Sequence, residues 1–305
     1  MTIVSDPKTD LENRAIGAYL GLAVGDALGA TVEFMTPREI ADQYRVHRNI
    51  IGGGWLRLQP GQITDDTEMS LYLGQSILDN GAVDGRAIAE AFSAWMRSKP
   101  VDMGNTVRRG IVRYRQTDET RVPENEYDGG NGACMRVLPV ALATLGAAPE
   151  QVRLAVEMQS HITHNNALSD AGTYCIVDMV QAAVAGNASL ADLREMAEGF
   201  AAKSPEFSFV GKREKNPSGF IVDTLRAVFQ ALRDKDGFSE ILIDVVNRGG
   251  DADTTGAIAG MLAGALWGVE GIPKNWVAAL DPKIGIQCIE QARLLLARAP
   301  VGVTI

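Results

Sequence analysis

Two runs of glycine at a spacing of four residues constrain the fold of this chain more than any other feature. The runs comprise Gly17, Gly21, Gly25 and Gly29, and Gly256, Gly260, Gly264 and Gly268. Residues i and i+4 share one face of a helix, so each run forms a stripe without side chains that another backbone can approach closely. An interior glycine costs about 1 kcal/mol relative to alanine, which tertiary packing must offset. The runs predict two buried helices at the centre of a bundle, packed on each other.

A GxxxG contact between membrane helices is the alternative explanation for these runs. The uncharged segment 254–269 has 16 residues and the segment 15–25 has 11. Both are shorter than the roughly 18 to 20 residues that span a bilayer. We therefore expect a soluble helical bundle.

Composition narrows the class of protein. The 305 residues are 46% hydrophobic and carry a formal charge of −9, which favours a soluble globular protein and disfavours disorder or nucleic-acid binding. Three widely spaced cysteines indicate neither a disulfide framework nor a cysteine zinc site, so we expect a reducing cytoplasm. Residues 1–14 lack a basic segment followed by an apolar one, and no signal peptide is predicted.

Apolar residues recur at helical spacing along nearly the whole chain, and alternating strand patterns are almost absent. The sequence therefore predicts an all-α fold, and we expect one domain over residues 1–305. Loops rich in Gly, Pro, Asn and Asp are predicted at 51–61, 116–131 and 204–218. The predicted helices are 11–30, 66–80, 84–98, 103–115, 132–146, 149–162, 167–186, 188–202, 218–233, 238–248, 253–269 and 283–298.

Acidic residues gather where loops become predicted helices. One cluster, Gly-Gly-Asp-Ala-Asp-Thr-Thr-Gly at 249–256, precedes the second glycine run, and another, Thr-Asp-Asp-Thr-Glu, occupies 64–68. A third acid, Glu33, closes the first glycine helix. Helix capping is the structural alternative, because Asp and Thr favour helix N-termini and Asp65 with Glu68 fits a capping box.

Two observations favour a metal site over capping. Capping needs one oxygen, whereas the two clusters offer four aspartates, which would repel one another beside apolar helices unless cations neutralised them. The donors are all oxygen, which favours Mg²⁺ or Mn²⁺ over zinc or copper. The number of carboxylates fits two ions, which can deprotonate a shared water.

Three motifs in this order resemble the ADP-ribosylglycohydrolase family: Gly-Asp-Ala-Leu-Gly at 25–29 with Glu33, Ile-Thr-Asp-Asp-Thr-Glu-Met at 63–69, and the 249–256 segment. The segments 34–36, 51–58, 100–106 and 162–165 resemble the bacterial members that act on nitrogenase. The resemblance implies an all-α orthogonal helical bundle with a binuclear metal centre, most often of Mn²⁺ with Mg²⁺ as the alternative. It implies as metal ligands Thr64, Asp65, Asp66, Asp251, Asp253 and Thr254.

The resemblance also implies an activity and partners. The reaction is hydrolysis of the N-glycosidic bond between ADP-ribose and an arginine side chain, with the modified Fe protein of nitrogenase as substrate. Asp102 is implied as the acid/base residue and Glu33 as a ligand or water-orienting carboxylate. Relatives bind PII signalling proteins and reach the membrane through an ammonium transporter; we expect a cytoplasmic monomer that binds no nucleic acid.

Substrate contacts follow partly from chemistry and partly from the resemblance. Backbone N–H groups at glycine turns can cradle a diphosphate, and the turn at 128–132 precedes a predicted helix. His161 and His164 lack a third nitrogen or sulfur ligand, so a hydrogen bond from His164 to substrate is favoured over zinc. The substrate contacts implied by the resemblance are Asn105, Thr106, Glu126, Gly130, Asn131, Gly132, His164 and Phe220.

This chain departs from its relatives at two places. Asn166-Ala167 stands where relatives often have His-Pro, which puts the polar contacts of the cleft in doubt. Phe220 stands where some carry Tyr, which removes a hydroxyl but keeps an aromatic face for adenine.

The main basic concentration consists of Arg108, Arg109, Arg113, Arg115 and Arg121. It is either a solvated helix face or a rim that steers an anionic nucleotide or an acidic partner.

Three alternatives remain open at this point. The chain could be a different two-metal hydrolase, for example of phosphoesters, although the histidine ligands of common phosphatases are absent. It could hydrolyse another ADP-ribosyl target or linkage. It could also be a catalytically silent ADP-ribose-binding relative, which retention of the four aspartates and of Asp102 disfavours.

Overall fold

The computed structural model describes residues 7–300, and the regular structure within them is helical. Two isolated β-bridges, Gly53 to Leu58 and Gly130 to Phe220, are the only extended pairings in this range. The all-α prediction is confirmed. The helices are α1 Pro7–Gly29, α2 Pro37–Tyr44, α3 Asp65–Asn80, α4 Gly85–Arg97, α5 Asn105–Thr117, α6 Leu138–Ala143, α7 Pro149–Ser160, α8 Ala167–Val184, α9 Leu190–Lys203, α10 Ile221–Asp234, α11 Phe238–Val246, α12 Ala252–Trp267, α13 Lys274–Ala279 and α14 Pro282–Arg298. The first six residues, which belong to the segment searched for a signal peptide, lie outside the described range.

The two glycine runs pack against each other, as the sequence predicts. A Cβ added at Gly21 would lie closer than 3.0 Å to the carbonyl oxygen of Gly260, and a Cβ at Gly260 would meet the carbonyl of Gly21 in the same way. Gly17 faces Gly264 and Gly25 faces Gly256 in the same reciprocal manner. The pairing is therefore antiparallel, and the backbones of α1 and α12 approach closely from Gly17 to Gly29, over about three turns.

This helix pair is the centre of the molecule. Every residue of α12 from Ala252 to Ala265 is buried, and α8, α10 and α11 pack around it. On the other side, α14 packs on α1, and α3 packs on α4 and α14. The antiparallel arrangement brings the C-terminal end of α1 beside the N-terminal end of α12, where the predicted acidic residues lie.

Most predicted helices agree with the structure to within a few residues, but the helix predicted at 132–146 is wrong. Only Leu138–Ala143 is helical, and residues 132–136 form turns. Pro139 explains the difference, because it lacks an N–H and its ring would clash with the preceding turn, so it is accommodated in the first turn of α6.

Two short helices, α2 and α13, were not predicted. The α2 helix carries a recognisable signal, since Thr36 and Glu39 form a reciprocal capping box and Pro37 opens the first turn. All three cysteines are buried and unpaired. Among residues 7–300 no helix combines the length and apolarity needed to cross a membrane.

Candidate metal centre and active site

A turn of two glycines holds the segment that follows α1 beside the start of α12 and so brings the acids of the two segments together. Gly249 and Gly250 adopt φ values of +70° and +66°, and a Cβ on Gly250 would collide with the carbonyl of Pro217. The Phe34 N–H donates to the Gly250 carbonyl at 2.7 Å, and the Gly250 N–H donates to the Met35 carbonyl at 3.0 Å. This pair of hydrogen bonds fixes the loop after α1 against the entry to α12.

Glu33 and the two aspartates of α12 consequently form one group. Carboxylate oxygens of Glu33, Asp251 and Asp253 all lie within 4.8 Å of one another. Glu33 does not lie within α1, which ends at Gly29, but in the turn that follows it. Its Oε2 accepts a hydrogen bond of 2.6 Å from the indole of Trp55, a contact that the sequence did not reveal.

Asp26 anchors the second acidic segment and was missed as a functional residue. Its buried carboxylate accepts hydrogen bonds from the backbone N–H of Thr64 at 3.0 Å and of Thr67 at 3.1 Å. The hydroxyls of Thr64 and Thr67 lie within hydrogen-bonding distance of the same carboxylate. One side chain of α1 therefore positions the start of α3. Burial raises the pKa of Asp26 to about 6, against the opposing effect of these hydrogen bonds.

The start of α3 meets the start of α12 directly. Thr64 Oγ1 lies 3.3 Å from Asp66 Oδ2 and 3.4 Å from Asp253 Oδ2. Thr254 Oγ1 donates to Asp66 Oδ2 at 3.3 Å. Residues 188 positions apart in the chain are thus brought within contact distance. The two predicted acidic segments form one centre.

Capping does not explain these acids. The N-cap of α3 is Thr64 and that of α12 is Asp251, and neither side chain forms a capping hydrogen bond. The proposed box of Asp65 with Glu68 is absent, since Asp65 accepts from the Gly104 N–H at 3.4 Å and Glu68 from the Trp95 indole at 2.7 Å. The carboxylates remain available for another role.

The electrostatics of the cluster require compensation. Burial raises the pKa of Asp65, Asp66 and Asp253 well above the usual range of aspartate, and neighbouring carboxylates raise each further. Burial also raises the pKa of Glu33 to about 8, although the Trp55 hydrogen bond acts in the opposite direction. Such a cluster must take up either protons or cations.

The donor set fits divalent cations. Asp66 Oδ1 is fully buried and has no hydrogen-bond partner among the described residues, an arrangement that is costly without a ligand. A cavity opens above the cluster, and among the described residues no Lys or Arg lines it. The donors are carboxylate and hydroxyl oxygens, which suit hard ions.

A cavity of about 410 Å³ opens above these acids. Its wall includes most of the predicted site residues. Among the lining residues are Glu33, Asp65, Asp102, Asn105, Thr106, Gly130, Asn131, Gly132, His164, Asp251, Asp253 and Thr254. Thr64 and Asp66 lie beneath this surface, fully buried. Phe34, Trp55, Met103, Met135 and Gly219 also line the cavity and were not predicted.

Asp102 faces the cavity and is not a helix cap. Helix α5 begins at Asn105 with Gly104 as its N-cap, two residues later than predicted. One oxygen of Asp102, Oδ1, accepts the Met103 N–H at 2.8 Å, and Oδ2 forms no hydrogen bond within residues 7–300. Burial raises the pKa of Asp102 above that of an ordinary aspartate.

The glycine turn at 128–132 is held from two sides. The Asn131 N–H donates to Gly219 at 2.9 Å, and Ser169 Oγ donates to the Gly130 carbonyl at 3.0 Å. The Asn131 side chain donates to Asp251 and also to Thr224. The turn does not lie at the N-terminus of a helix, because α6 begins only at Leu138; any anion bound here would rely on the turn's own N–H groups.

Two predicted substrate contacts lie away from the cavity wall. Glu126 is exposed, and Phe220 is 40% exposed with its ring against Gly129. Neither lines the cavity. His161 also points elsewhere, with Nε2 bonded to Asp170 at 2.9 Å, so the two histidines do not form a pair of ligands.

The departure at Asn166 has a structural role. Its side-chain oxygen accepts the Leu168 N–H at 2.9 Å and caps α8, while Nδ2 donates to the Asn125 carbonyl at 2.9 Å. Asn166 therefore ties the 125–126 loop to α8 behind the glycine turn.

The basic residues of α5 lie outside the cavity wall. Arg109 pairs with Asp128 and also donates to the Thr106 hydroxyl at 3.3 Å, so it abuts the wall from outside. Arg113 pairs with Glu119, and Arg115 bonds Ser93. Arg108 is exposed and forms no ion pair with a described residue. Arg109 thus flanks the rim, Arg108 is exposed on the same helix, and Arg113 and Arg115 have local partners.

Comparisons with known proteins agree with this architecture. A family model described as ADP-ribosylglycohydrolase matches residues 7–302. The chain is 51% identical to the ADP-ribosyl-[dinitrogen reductase] glycohydrolase of Rhodospirillum rubrum over 95% of this chain and 97% of that protein. It is 33% identical to the ADP-ribosylarginine hydrolase Tri1 of Pseudomonas putida over 94% of this chain and 79% of that protein. A solved structure titled ADP-ribosylglycohydrolase-related protein complex superposes with a TM-score of 0.84 at 31% identity, over 95% of this chain and 99% of that one.

Proposed function

This chain belongs to the ADP-ribosylglycohydrolase family, and from that premise we propose that it hydrolyses the N-glycosidic bond between ADP-ribose and an arginine side chain of a modified protein. The observation that carries the proposal is the convergence of four aspartates and Glu33 beneath a cavity whose wall also holds Asp102. The family is metal-dependent, which agrees with this group of carboxylates.

We propose Thr64, Asp65, Asp66, Asp251, Asp253 and Thr254 as the ligands of two divalent ions, Mn²⁺ or Mg²⁺, with Glu33 beside them. When bound, such ions supply positive charge that stabilises the ribose oxygens as the glycosidic bond breaks. The Trp55 indole holds Glu33 in place, and Asp26 holds Thr64, so the oxygen donors are oriented before any ligand arrives.

Asp102 is proposed as the acid/base residue. Met103 fixes one of its oxygens and leaves the other unpaired at the cavity, within the part of the chain that the structure describes. Its burial favours the protonated form, which suits a group that gives a proton to a departing guanidine; once ionised, the same carboxylate can take a proton from water.

The ADP-ribose is proposed to occupy the cavity with its diphosphate at the glycine turn. The N–H groups of Gly130 and Gly132 donate to no acceptor within residues 7–300 and so are free to bind phosphate oxygens. Asn105, Thr106, Asn131 and His164 line the same space. Glu126 and Phe220 would reach the ligand only at its outer end, since neither lines the cavity.

The proposed target is ADP-ribosylated dinitrogenase reductase, because the relative from Rhodospirillum rubrum is named for that substrate and is matched along nearly its full length. Association with a PII protein, and through it with an ammonium transporter, is proposed on resemblance alone, as are the monomeric state and the cytoplasmic location.

Two modified substrates separate this function from its alternatives. Purified protein is incubated with ADP-ribosylated dinitrogenase reductase and with an ADP-ribosyl-serine peptide, each with Mn²⁺ and with chelator. We expect ADP-ribose release from the arginine-linked substrate in Mn²⁺ only. Release from serine alone would move the protein to another linkage, and release from neither would contradict the proposal.

A further inference from the structure

The imidazole of His164 connects the cavity with a buried polar group behind it. The residue is 2% exposed, and its Nδ1 lies 2.7 Å from the hydroxyl of Thr163. Its Nε2 lies at the cavity wall, where a Cβ on Gly130 would approach it to 3.0 Å. Within residues 7–300 this nitrogen has no hydrogen-bond partner. One ring nitrogen is therefore held by the protein and the other is presented to the cavity.

Arg136 lies behind Thr163 and is fully buried. Its Nη2 donates to Thr163 Oγ1 at 2.8 Å, its Nε donates to the side chain of Gln159 at 2.9 Å, and its guanidinium lies over the Phe92 ring at 4.4 Å from the centroid. No described carboxylate forms an ion pair with it. A buried cation without such a pair is costly, which points to a specific role for this side chain.

The direction of the hydrogen bonds follows from donor counting. A guanidinium has only donors, so the Thr163 oxygen accepts from Arg136. No described acceptor other than His164 Nδ1 lies within reach of the Thr163 proton, so Thr163 donates to Nδ1. That nitrogen must then be bare, which places the single ring proton on Nε2.

We propose that Arg136 is a positioning residue that acts through Thr163 to fix His164 as the Nε2–H tautomer, so that the cavity is presented with a hydrogen-bond donor and not an acceptor. The identity of the acceptor rests on the proposed function: it is an oxygen of ADP-ribose, either in the diphosphate or in a ribose. With the other tautomer, a nitrogen lone pair would face the diphosphate oxygens, which carry no proton to donate.

The charge state of the ring makes the tautomer decisive. Burial, together with the cationic Arg136 and Arg109, lowers the pKa of His164 to about 3, so the ring is neutral at physiological pH. A protonated imidazole would donate from both nitrogens, whereas a neutral ring donates from only one. Burial also lowers the pKa of Arg136 to about 9, which leaves that group charged at pH 7.

The tautomer can be read directly by ¹⁵N NMR of the histidine side chains in Mg²⁺ buffer without nucleotide. The chain has three histidines, and a His164→Gln variant assigns the signals of His164. We expect Nε2–H in the natural sequence. In Arg136→Met the Thr163 hydroxyl is freed to accept, and the Nδ1–H form should become detectable. Arg136→Lys, which keeps a donor, should resemble the natural protein.

Ligand affinity gives a second readout, which stands even if Arg136→Met fails to fold. Thr163→Val keeps the side-chain shape but removes the hydroxyl, and ADP-ribose affinity measured by calorimetry should fall about fivefold, as for loss of one ordinary hydrogen bond. Thr163→Ser should restore it.

An Nδ1–H tautomer in the natural protein, an unchanged His164 spectrum in folded Arg136→Met, or unchanged affinity in Thr163→Val would each overturn the proposal. Failure of the unmodified protein to bind ADP-ribose at all would instead contradict the proposed function, because the tautomer is measured without ligand.

Discussion

Gly25 of α1 and Gly256 of α12 occupy each other's side-chain space, since a Cβ added to either would lie closer than 3.0 Å to the carbonyl oxygen of the other. This contact lies next to Asp26 in α1 and one turn from Asp253 in α12. The glycine pairing therefore sets the distance between the helices and places the acids that form the candidate metal centre.

Replacement of a paired glycine should destabilise the fold. Gly21→Ala would force α1 away from the backbone of Gly260, and we expect a loss of about 2 kcal/mol or more in the free energy of unfolding, measured by urea titration. Gly199→Ala is the matched control, because Gly199 lies within α9 with open space around it. That variant should gain up to about 1 kcal/mol from helix propensity. Equal stability of the two variants would contradict the close packing of α1 and α12.

Neutralising one buried carboxylate should separate metal binding from folding. Asp66→Asn removes a charge from a cluster in which like charges repel, so the metal-free variant should melt at the same temperature as the natural protein or higher. Its melting temperature should no longer rise when Mn²⁺ is added.

Asp79→Asn serves as the control for this experiment because Asp79 is exposed at the other end of α3. Its stabilisation by Mn²⁺ should equal that of the natural protein. A full Mn²⁺-induced shift in Asp66→Asn would show that the ions bind elsewhere.

Removal of the proposed acid/base group should affect turnover more than binding. Asp102→Asn keeps the size of the side chain and its bond to Met103, but it cannot exchange the proton. We expect kcat on an ADP-ribosylarginine substrate to fall about 10²- to 10⁴-fold, with ADP-ribose affinity changed less than threefold or so. A near-normal kcat in this variant would show that Asp102 takes no part in the reaction.

Charge on the exposed face of α5, the helix whose first turn lines the cavity, should influence association with the modified protein. Arg108 is exposed and unpaired among the described residues, so Arg108→Glu reverses a charge without breaking an ion pair, unlike a change at Arg109. We expect kcat/KM to fall severalfold at low salt and to approach the natural value at high salt. Arg298→Glu, on α14, is the charge-matched control. Identical kinetics of Arg108→Glu and the natural protein at low salt would contradict this prediction and would indicate that the basic residues of α5 form only a solvated helix face.

The central helix pair and the acidic segments could be predicted because their signals are local and periodic. Gly17 to Gly29 define a stripe within one helix, and Asp251 and Asp253 lie at the start of another. Asp26 could not be identified as the anchor of α3, because its partners Thr64 and Thr67 lie 38 and 41 residues away and only the fold brings them together. The bond from Trp55 to Glu33 is hidden for the same reason.

Sequence rules for the position of helices also failed where two of them gave different predictions. The apolar spacing of 132–146 indicates a helix, but Pro139 restricts it to Leu138–Ala143, which leaves Gly132 in an irregular turn beside His164. The same spacing rule placed Asp102 directly before a helix, whereas α5 begins only after Gly104. In both cases the irregular backbone lines the cavity, and the spacing of apolar residues does not predict the conformation of such a segment.

The central claim is that the two acidic segments form one metal centre that drives hydrolysis of ADP-ribosylarginine. Its most direct test is to titrate metal-depleted protein with Mn²⁺ while measuring ADP-ribose release from ADP-ribosylated dinitrogenase reductase. The account predicts no release without metal and full activity once both proposed ions are bound. Undiminished release by the chelated protein, or no release at any Mn²⁺ concentration, would contradict it.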